Sequence, residues 1–382
     1  MAEPLVVMTW DHIRGRRPVE VCAAQWKLDH PGQHVLVQTR SLADFEHDPI
    51  QELARRCDLV LYDHPFVGTA AHDDIFLPLD DWIIPEFLED QRTHSVGPSH
   101  ASYEWNGHQW GLAIDAAAQV SAYRPDLSES TDYQVPRSWD ELEHFAAHLP
   151  PQAMGMALNP THVFATFLTL LAAVSGGEGW DGRSPIDSVL GNEALGRLRW
   201  LWEQAHPLSR ASSPIDVLEA MGADDGIWYV PLIFGYVNYS VAGYKPHRIC
   251  FGAIPVSHGA ILGGVGIGVS ALRSENRAAA LEFAQYLVTG SIQGGPYVRS
   301  GGQPGYRDVW EDELVNVDRA NFFKETLPVL DGAYVRPRYA GYQTLQRQAE
   351  LYLHDELASK SPHPSILAGL NKIFSQSTHN TN

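Results

Sequence analysis

The sequence predicts an α/β fold built as two domains. Three observations support this prediction. Strand-like and helix-like segments alternate at the start of the chain, two of these strands end in the same kind of tripeptide, and 382 residues are too many for one compact core.

The elements at the start of the chain follow from local patterns. Residues 4–9 are an apolar strand, and Pro18 suits the first turn of a helix that Pro31-Gly32 ends. Residues 34–39 form a second strand, Asp48-Pro49 opens a short helix, and residues 58–62 form a third strand. The order β-α-β-α-β predicts a parallel sheet, in which strands one and three are neighbours if the strand order is 2-1-3.

The first and third strands end alike, in Trp10-Asp11-His12 and Tyr62-Asp63-His64. In an open α/β sheet, ligands lie beyond the carboxyl ends of the strands, near the point where the strand order reverses. If strands one and three are neighbours, both tripeptides face one crevice, which predicts a ligand site there.

Later elements are predicted in the same way. Asn106-Gly107 is typical of a hairpin turn, and a strand follows at Ala118–Tyr123. Ser138-Trp139-Asp140-Glu141 is a capping box before a helix. Asn192 is expected to start another helix, Gly263–Val269 to form a strand, and Ser274–Val288 to form a helix.

Composition excludes several classes of function. The formal net charge of −19 argues against nucleic acid and anionic membrane surfaces as partners. No apolar run is long enough to span a bilayer, and the first residues do not resemble a signal peptide, so a removed leader and an intracellular location both stay open. Cys22, Cys57 and Cys250 lie far apart and are expected to be small buried side chains.

The order of several short motifs resembles the extracellular solute-binding proteins of ABC importers, in the sugar-binding, maltose-binding-protein-like branch. The stretches that carry the resemblance are Trp105–Asp115, Tyr123–Leu127, Pro136–Leu142, Gly263–Ser270 with the helix from Asn276 to Leu287, and Gly301–Pro304. Ile114-Asp115 departs from the family, which usually has a proline there.

The resemblance implies a two-lobed, type II periplasmic-binding-protein-like α/β fold with mixed sheets and a 2-1-3 core. The lobes would be discontinuous and joined by hinge crossings: residues 1–114 with 258–308 in lobe 1, and 115–257 with 309–382 in lobe 2. It further implies that a small polar solute, such as a sugar, sugar acid or similar organic anion, is enclosed by hinge closure. The solute would then be delivered to an ABC permease, without catalysis or cofactor, by a monomer in the periplasm or at the cell surface.

Sugar binding requires flat apolar faces and polar side chains that hydrogen-bond hydroxyl groups. The residues expected to contact ligand, the two glycines through their backbone, are Trp10, Asp11, His12, Arg14, Asp63, His64, Asp115, Trp228, Tyr229, Tyr236, Gly263, Gly264, Arg336 and Arg338. Alternatives stay open for each kind: Asp11 as a loop cap, Arg14 as the partner of a neighbouring acid, and Asp115 as a hinge brace. The aromatic residues also fit core packing, the glycines a strand edge, and the two arginines a surface loop instead of an anion clamp.

Two other classes of function compete with solute import. Asp11, His12, Asp63 and His64 could hold a metal ion that activates water, or Asp11 and Asp63 could be the carboxylates of a glycoside hydrolase. A cytoplasmic sensor without a permease would use the same two-lobed fold. His144 and His148 have the spacing of metal ligands, but they lack a third ligand, and no metal site is expected there.

Overall fold

The computed structural model describes residues 3–127, 134–224 and 226–375 of the chain. The chain divides into two compact units, Met1–Ala117 with Gly263–Val317 and Arg338–Gln343, and Ala118–Leu262 with Asp318–Pro337 and Thr344–Asn382. Each unit is therefore discontinuous in sequence.

The predicted lobe limits differ from the limits of these units. Residues 115–117, 309–317 and 338–343 lie in the first unit, and residues 258–262 lie in the second. Two of the passages between units fall inside the strands Leu112–Tyr123 and Leu262–Val269, where no break in the hydrophobic pattern marks them.

Nine strands carry labels here: β1 Leu5–Trp10, β2 Val35–Arg40, β3 Leu59–Tyr62, β4 Glu104–Trp105, β5 His108–Gln109, β6 Leu112–Tyr123, β7 Tyr229–Phe234, β8 Cys250–Gly252 and β9 Leu262–Val269.

The helices are α1 Ile13–Asp29, α2 Leu42–His47, α3 Ile50–Arg56, α4 Val67–His72, α5 Pro85–Thr93, α6 Trp139–Ala146, α7 Pro160–Val174, α8 Ser188–Gln204, α9 Pro214–Ala223, α10 Arg277–Val288, α11 Gly290–Ile292, α12 Arg307–Glu311, α13 Glu313–Val317, α14 Phe322–Asp331, α15 Tyr342–Ala358 and α16 His363–Ser375. In the described part of the chain, no helix combines the length and the apolar character that crossing a bilayer requires.

The sheet of the first unit has the predicted 2-1-3 core. β1 pairs in parallel with both β2 and β3, and β3 pairs antiparallel with β9, so the order is β2-β1-β3-β9-β6. The sheet is therefore mixed. Apolar side chains of α1 and α10 cover one face of it, and those of α3 lie among the residues that cover the other.

Helix α1 begins earlier than the sequence predicts. His12 is its N-cap and accepts a hydrogen bond from the Arg14 amide, so the helix starts five residues before Pro18. Pro18 is thus an interior residue and cannot donate the hydrogen bond that the carbonyl of Arg14 would receive. Pro18 therefore predicted the presence of this helix correctly, but not the residue at which the helix begins.

The second unit is built around the far half of β6. From Gln119 to Tyr123 this strand pairs antiparallel with β7, and from Ser121 to Tyr123 with β8. Met154 forms a parallel bridge with Tyr229, so the extended segment before α7 runs in the same direction as β7. Helix α8 starts at Ser188, four residues before the predicted Asn192, because Asp187 accepts hydrogen bonds from two amides of the first turn.

Candidate functional site

The carboxyl ends of β1 and β3 lie side by side in the first unit. Val7 and Met8 of β1 are in register with Leu59 and Val60 of β3, so the residues that follow both strands emerge at one edge. The structure therefore places Asp11 and Asp63 at the same sheet edge, as the paired tripeptides predict.

Asp11 and His12 have different roles at this edge. The Asp11 side chain is exposed, and its carboxylate lies 3.0 Å from Arg16. His12 caps α1, with its Nδ1 atom accepting from the Arg14 amide at 3.1 Å. Asp11 is thus the more available hydrogen-bonding group of the two.

Trp10, by contrast, is a core side chain. It is buried, its ring centroid lies 5.3 Å from that of Phe45, and the apolar cluster under the sheet contains it. A Cβ atom at Gly15 would lie 2.3 Å from the Trp10 ring, so α1 packs directly on the indole. The aromatic residue of the first tripeptide contributes packing at this position.

Asp63 and His64 form a partly enclosed pair at the end of β3. His64 is fully buried, and its Nδ1 atom lies 3.1 Å from the Asp63 carboxylate, which keeps 18% of its side-chain exposure. Burial raises the pKa of the neighbouring Tyr103, and the charges of Asp63 and Asp115 are among the further causes. Asp63 is therefore a largely buried carboxylate of the first unit that retains some solvent access.

Arg14 and Asp115 are bound to each other in the first unit. The Arg14 Nε atom donates to Asp115 at 3.0 Å, a terminal nitrogen donates to the second carboxylate oxygen, and both side chains are buried. Burial raises the pKa of Asp115, and Arg14 opposes this effect. The structure thus favours the alternatives for these residues, a paired arginine and a strand brace.

The backbone around Asp115 is held tightly on two sides. The Ala116 amide and carbonyl both hydrogen-bond to Gln303, at 3.0 Å each. Gly264 has a φ of +95°, and a Cβ atom there would lie 2.3 Å from the Asp115 carbonyl oxygen. Close backbone packing therefore accounts for Gly264. Gly263 has intermediate exposure.

The aromatic residues predicted in the second unit do not form one group. Trp228 and Tyr229 lie at the start of β7, whereas Tyr236 follows its end, and a six-residue strand is roughly 17 Å long. Trp228 and Tyr229 line a small open pocket with residues such as Tyr123 and Phe145. Tyr229 is buried against Phe145. Of the three predicted aromatic residues, only Tyr236 lies near the carboxyl end of β7.

A set of polar residues that the sequence analysis missed lies at that carboxyl end. Asn159 caps α7, directly after the segment parallel to β7, and accepts from the His162 amide at 3.0 Å. The His162 ring lies edge-on to Phe234, with centroids 6.0 Å apart. The signal in the sequence is Asn159-Pro160, a helix start that follows an apolar segment.

The two arginines predicted as an anion clamp belong to different units, because the chain passes between units after Pro337. Arg338 lies over the Trp105 ring at 5.6 Å and donates to the Glu104 carbonyl at 3.3 Å. Arg336 is buried in the second unit. Arg338 therefore has two protein partners within the first unit, the Trp105 ring and the Glu104 carbonyl.

Metal coordination by the strand-end residues finds no support in the described residues. No three of Asp11, His12, Asp63 and His64 bring donor atoms within 4.8 Å of one another. The group that meets this distance is Asp80, Asp81 and His108, in which His108 lies 2.8 Å from Asp80. That group consists mostly of exposed carboxylates, which is ordinary for an acidic surface.

Comparison with solved structures identifies the fold. Maltose-bound T. maritima MalE3 matches with a TM-score of 0.80 and 18% identity, covering 98% of this chain and 99% of that one. The GacH receptor of Streptomyces glaucescens, solved unliganded and with acarbose, matches with 0.79 and 15%, covering 100% of both chains. A solute-binding protein of an ABC transporter from Agrobacterium radiobacter K84, in complex with ribitol, matches with 0.78 and 18%, covering 98% of both.

These matches confirm the predicted fold, the type II periplasmic-binding-protein fold of MalE-like proteins. One of the three is named a solute-binding protein and another a receptor. No family model matches the chain.

Proposed function

We propose that this protein binds a small polyhydroxylated solute, a sugar or polyol, and delivers it to an ABC permease. The observation that carries the proposal is that Asp11 and Asp63 follow the neighbouring strands β1 and β3 at one sheet edge, within a fold otherwise seen with maltose or ribitol bound. Delivery to a permease, and a location outside the cytoplasmic membrane, rest on the likeness of fold.

Asp63 and Asp11 are the proposed hydrogen-bond acceptors of the first unit. A carboxylate accepts several hydrogen bonds and donates none, which suits adjacent hydroxyl groups of a sugar. In the second unit, the proposed contacts are Thr161, His162 and Tyr236, beside the carboxyl end of β7. In the first unit, Trp10, Arg14 and Asp115 support the proposed contacts structurally and do not bind the solute themselves.

The first test compares solute binding by the wild-type protein with solute binding by the Asp63→Asn variant. The panel is maltose, acarbose, ribitol and tagatose, ranked by thermal shift and measured by calorimetry. A lost charged hydrogen bond of about 1.5–3 kcal/mol corresponds to a Kd roughly 10- to 150-fold higher. Asp29→Asn is the matched control, because Asp29 is exposed at the opposite end of α1, about 24 Å along the helix.

Two results would contradict the proposal. One is that no member of the panel, nor of a wider set of sugars and polyols, raises the melting temperature by mass action. The other is that Asp63→Asn and Asp29→Asn bind equally well. Turnover of a bound sugar would instead favour the hydrolase alternative.

Closure of the two units on the solute, expected from the resemblance, is part of the proposal. Ligand shifts the population toward a closed state only by its greater affinity for that state. Small-angle X-ray scattering with saturating ligand is therefore expected to show a smaller radius of gyration. An unchanged radius at saturation would exclude hinge closure.

A further inference from the structure

Arg40, the last residue of β2, is a buried arginine that spans the central strand of the 2-1-3 core. Strands β2 and β3 lie on opposite sides of β1. The Arg40 side chain nevertheless reaches β3, where Nη2 donates to the Leu61 carbonyl at 3.2 Å. Two inter-strand spacings are roughly 9–10 Å, so the side chain is extended across the carboxyl end of β1.

The main chain of Arg40 contacts the segment that follows β1. Its carbonyl oxygen accepts a hydrogen bond from the Asp11 amide at 2.7 Å. Trp10, the residue before Asp11, is the register partner of Arg40 in the parallel pair of β1 and β2. Arg40 is therefore bonded to the first residue beyond β1 through its main chain, and through its side chain to the residue two positions before Asp63.

The guanidinium group is held more closely by backbone carbonyls than by carboxylates. Nη1 donates to the Asp44 carbonyl at 3.2 Å, whereas the Asp48 carboxylate lies 4.0 Å away. Burial lowers the pKa of Arg40 to about 10, so the group is still cationic at pH 7. Burying a cation costs free energy, and an apolar side chain could pack on the Phe45 ring in its place. These contacts indicate that the guanidinium is retained to hold the carbonyls.

We infer that Arg40 is a positioning residue for the solute site at this sheet edge. The inference rests on the proposed function, in which Asp11 and Asp63 accept hydrogen bonds from the solute. Binding groups are effective when neighbouring residues hold them within about 0.5 Å of the productive geometry. Arg40 joins the segments that carry Asp11 and Asp63 to each other, and it acts on the solute through these two carboxylates.

A double-mutant cycle on solute binding tests the inference. Kd is measured by calorimetry for the tightest ligand among maltose, acarbose, ribitol and tagatose. Arg40→Met keeps an apolar stem and removes both side-chain hydrogen bonds. It is expected to raise Kd about tenfold in the wild-type background but less than about threefold in Asp63→Asn, because a displaced carboxylate matters only while it binds the solute. If Asp63→Asn binds too weakly to titrate, Asp11→Asn is the second background.

Arg273→Met is the matched control for a loss of stability. Arg273 donates to the buried Asp58 carboxylate at 2.9 Å, at the amino end of β3. Its removal leaves this carboxylate without its counter-ion and is expected to lower the melting temperature. Because the pair lies at the edge of the sheet away from Asp11 and Asp63, Kd is expected to stay within about twofold of wild type.

Arg40→Lys keeps the inference testable if Arg40→Met does not fold. Lysine retains the charge, but its single nitrogen replaces the planar fork whose two terminal nitrogens bind the Asp44 and Leu61 carbonyls. We expect Arg40→Lys to fold and to bind at least about threefold more weakly than wild type. Wild-type affinity of this variant would overturn the inference.

The outcomes separate the inference from the proposed function. If Asp63→Asn weakens binding, but Arg40→Met binds like wild type or raises Kd by the same factor in both backgrounds, the inference fails and the proposed function stands. If Asp63→Asn binds as tightly as Asp29→Asn, or if no sugar or polyol binds, the proposed function fails and the inference fails with it.

Discussion

Arg14 and Asp115 form the buried ion pair of the first unit, and each depends on the other. Arg14→Met would leave the Asp115 carboxylate buried without its counter-ion, and breaking such a pair typically costs about 3–5 kcal/mol. We expect a loss of this size in the free energy of unfolding, measured by urea denaturation with tryptophan fluorescence.

The double variant Arg14→Met with Asp115→Leu is the control for this loss. It removes both charges, and is expected to recover more than half of the lost stability because no unpaired charge remains. If Arg14→Met is as stable as wild type, the ion pair contributes little to the free energy of unfolding.

The buried imidazole of His100 is expected to make the free energy of unfolding depend on pH. Burial lowers the pKa of His100 from 6.5 to about 4, so the ring is neutral in the folded protein at neutral pH. The unfolded chain binds the proton first, and stability is therefore lost as the pH falls from 6.5 toward 4. A shift of this size corresponds to ~3 kcal/mol.

His100→Gln is expected to remove this part of the acid sensitivity. The measurement is the unfolding free energy of both proteins from pH 7 to pH 4.5, where the curve of the variant should be flatter. Parallel curves would mean that His100 titrates normally in the folded state.

At the scale of elements, β2 is the exposed edge of the first unit's sheet. Its sequence from Val35 to Thr39 has no charge and no proline, and Leu36 is 46% exposed. Such an edge invites pairing with other chains. Leu36→Lys is expected to slow aggregation during refolding, followed by light scattering, while changing stability by no more than about 0.5 kcal/mol.

Val189→Lys is the matched control for the edge strand. Val189 is an exposed apolar residue of a helix, at 72% exposure, and offers no unpaired strand backbone. Equal effects of the two substitutions would indicate that general surface polarity, and not the strand edge, governs aggregation.

The elements predictable from the sequence are those whose signals are local. The three strands of the first 65 residues, the helices α1 and α3 and the Asn106-Gly107 turn follow from periodicity and turn residues, and the positive φ angles of Asn106 and Gly107 fit that turn. The helix α2 was not predicted, and the 2-1-3 order was expected from the resemblance. The starts of α1 and α8 were missed because side-chain caps at His12 and Asp187 determine them.

The site was predictable only where the sheet itself brings residues together. Asp11 and Asp63 meet because two parallel strands end side by side. Arg14 pairs with a residue 101 positions away, and Thr161 contacts Glu350 across 189 positions. No local pattern encodes such partners, and the same limit led to Trp228 and Tyr236 being predicted for one site.

At the scale of the whole molecule, each unit is assembled from separate segments of the chain. Residues 1–117 on their own would lack β9, which pairs with β3, and α10, which covers one face of the sheet. We expect this fragment to remain unfolded, with poor dispersion in its NMR spectrum and no cooperative thermal transition. A well-dispersed spectrum would show that the first three strands suffice.

The same discontinuity has a consequence during synthesis on the ribosome. The strand that completes the sheet beside β3 emerges only about 200 residues after it, which at a translation rate of roughly 5–20 residues per second is a delay of about 10–40 s. Throughout that interval we expect the first segment to remain unfolded, with the apolar residues of β1 and β3 exposed to solvent. We therefore expect newly made chains to bind chaperones until β9 has been synthesised.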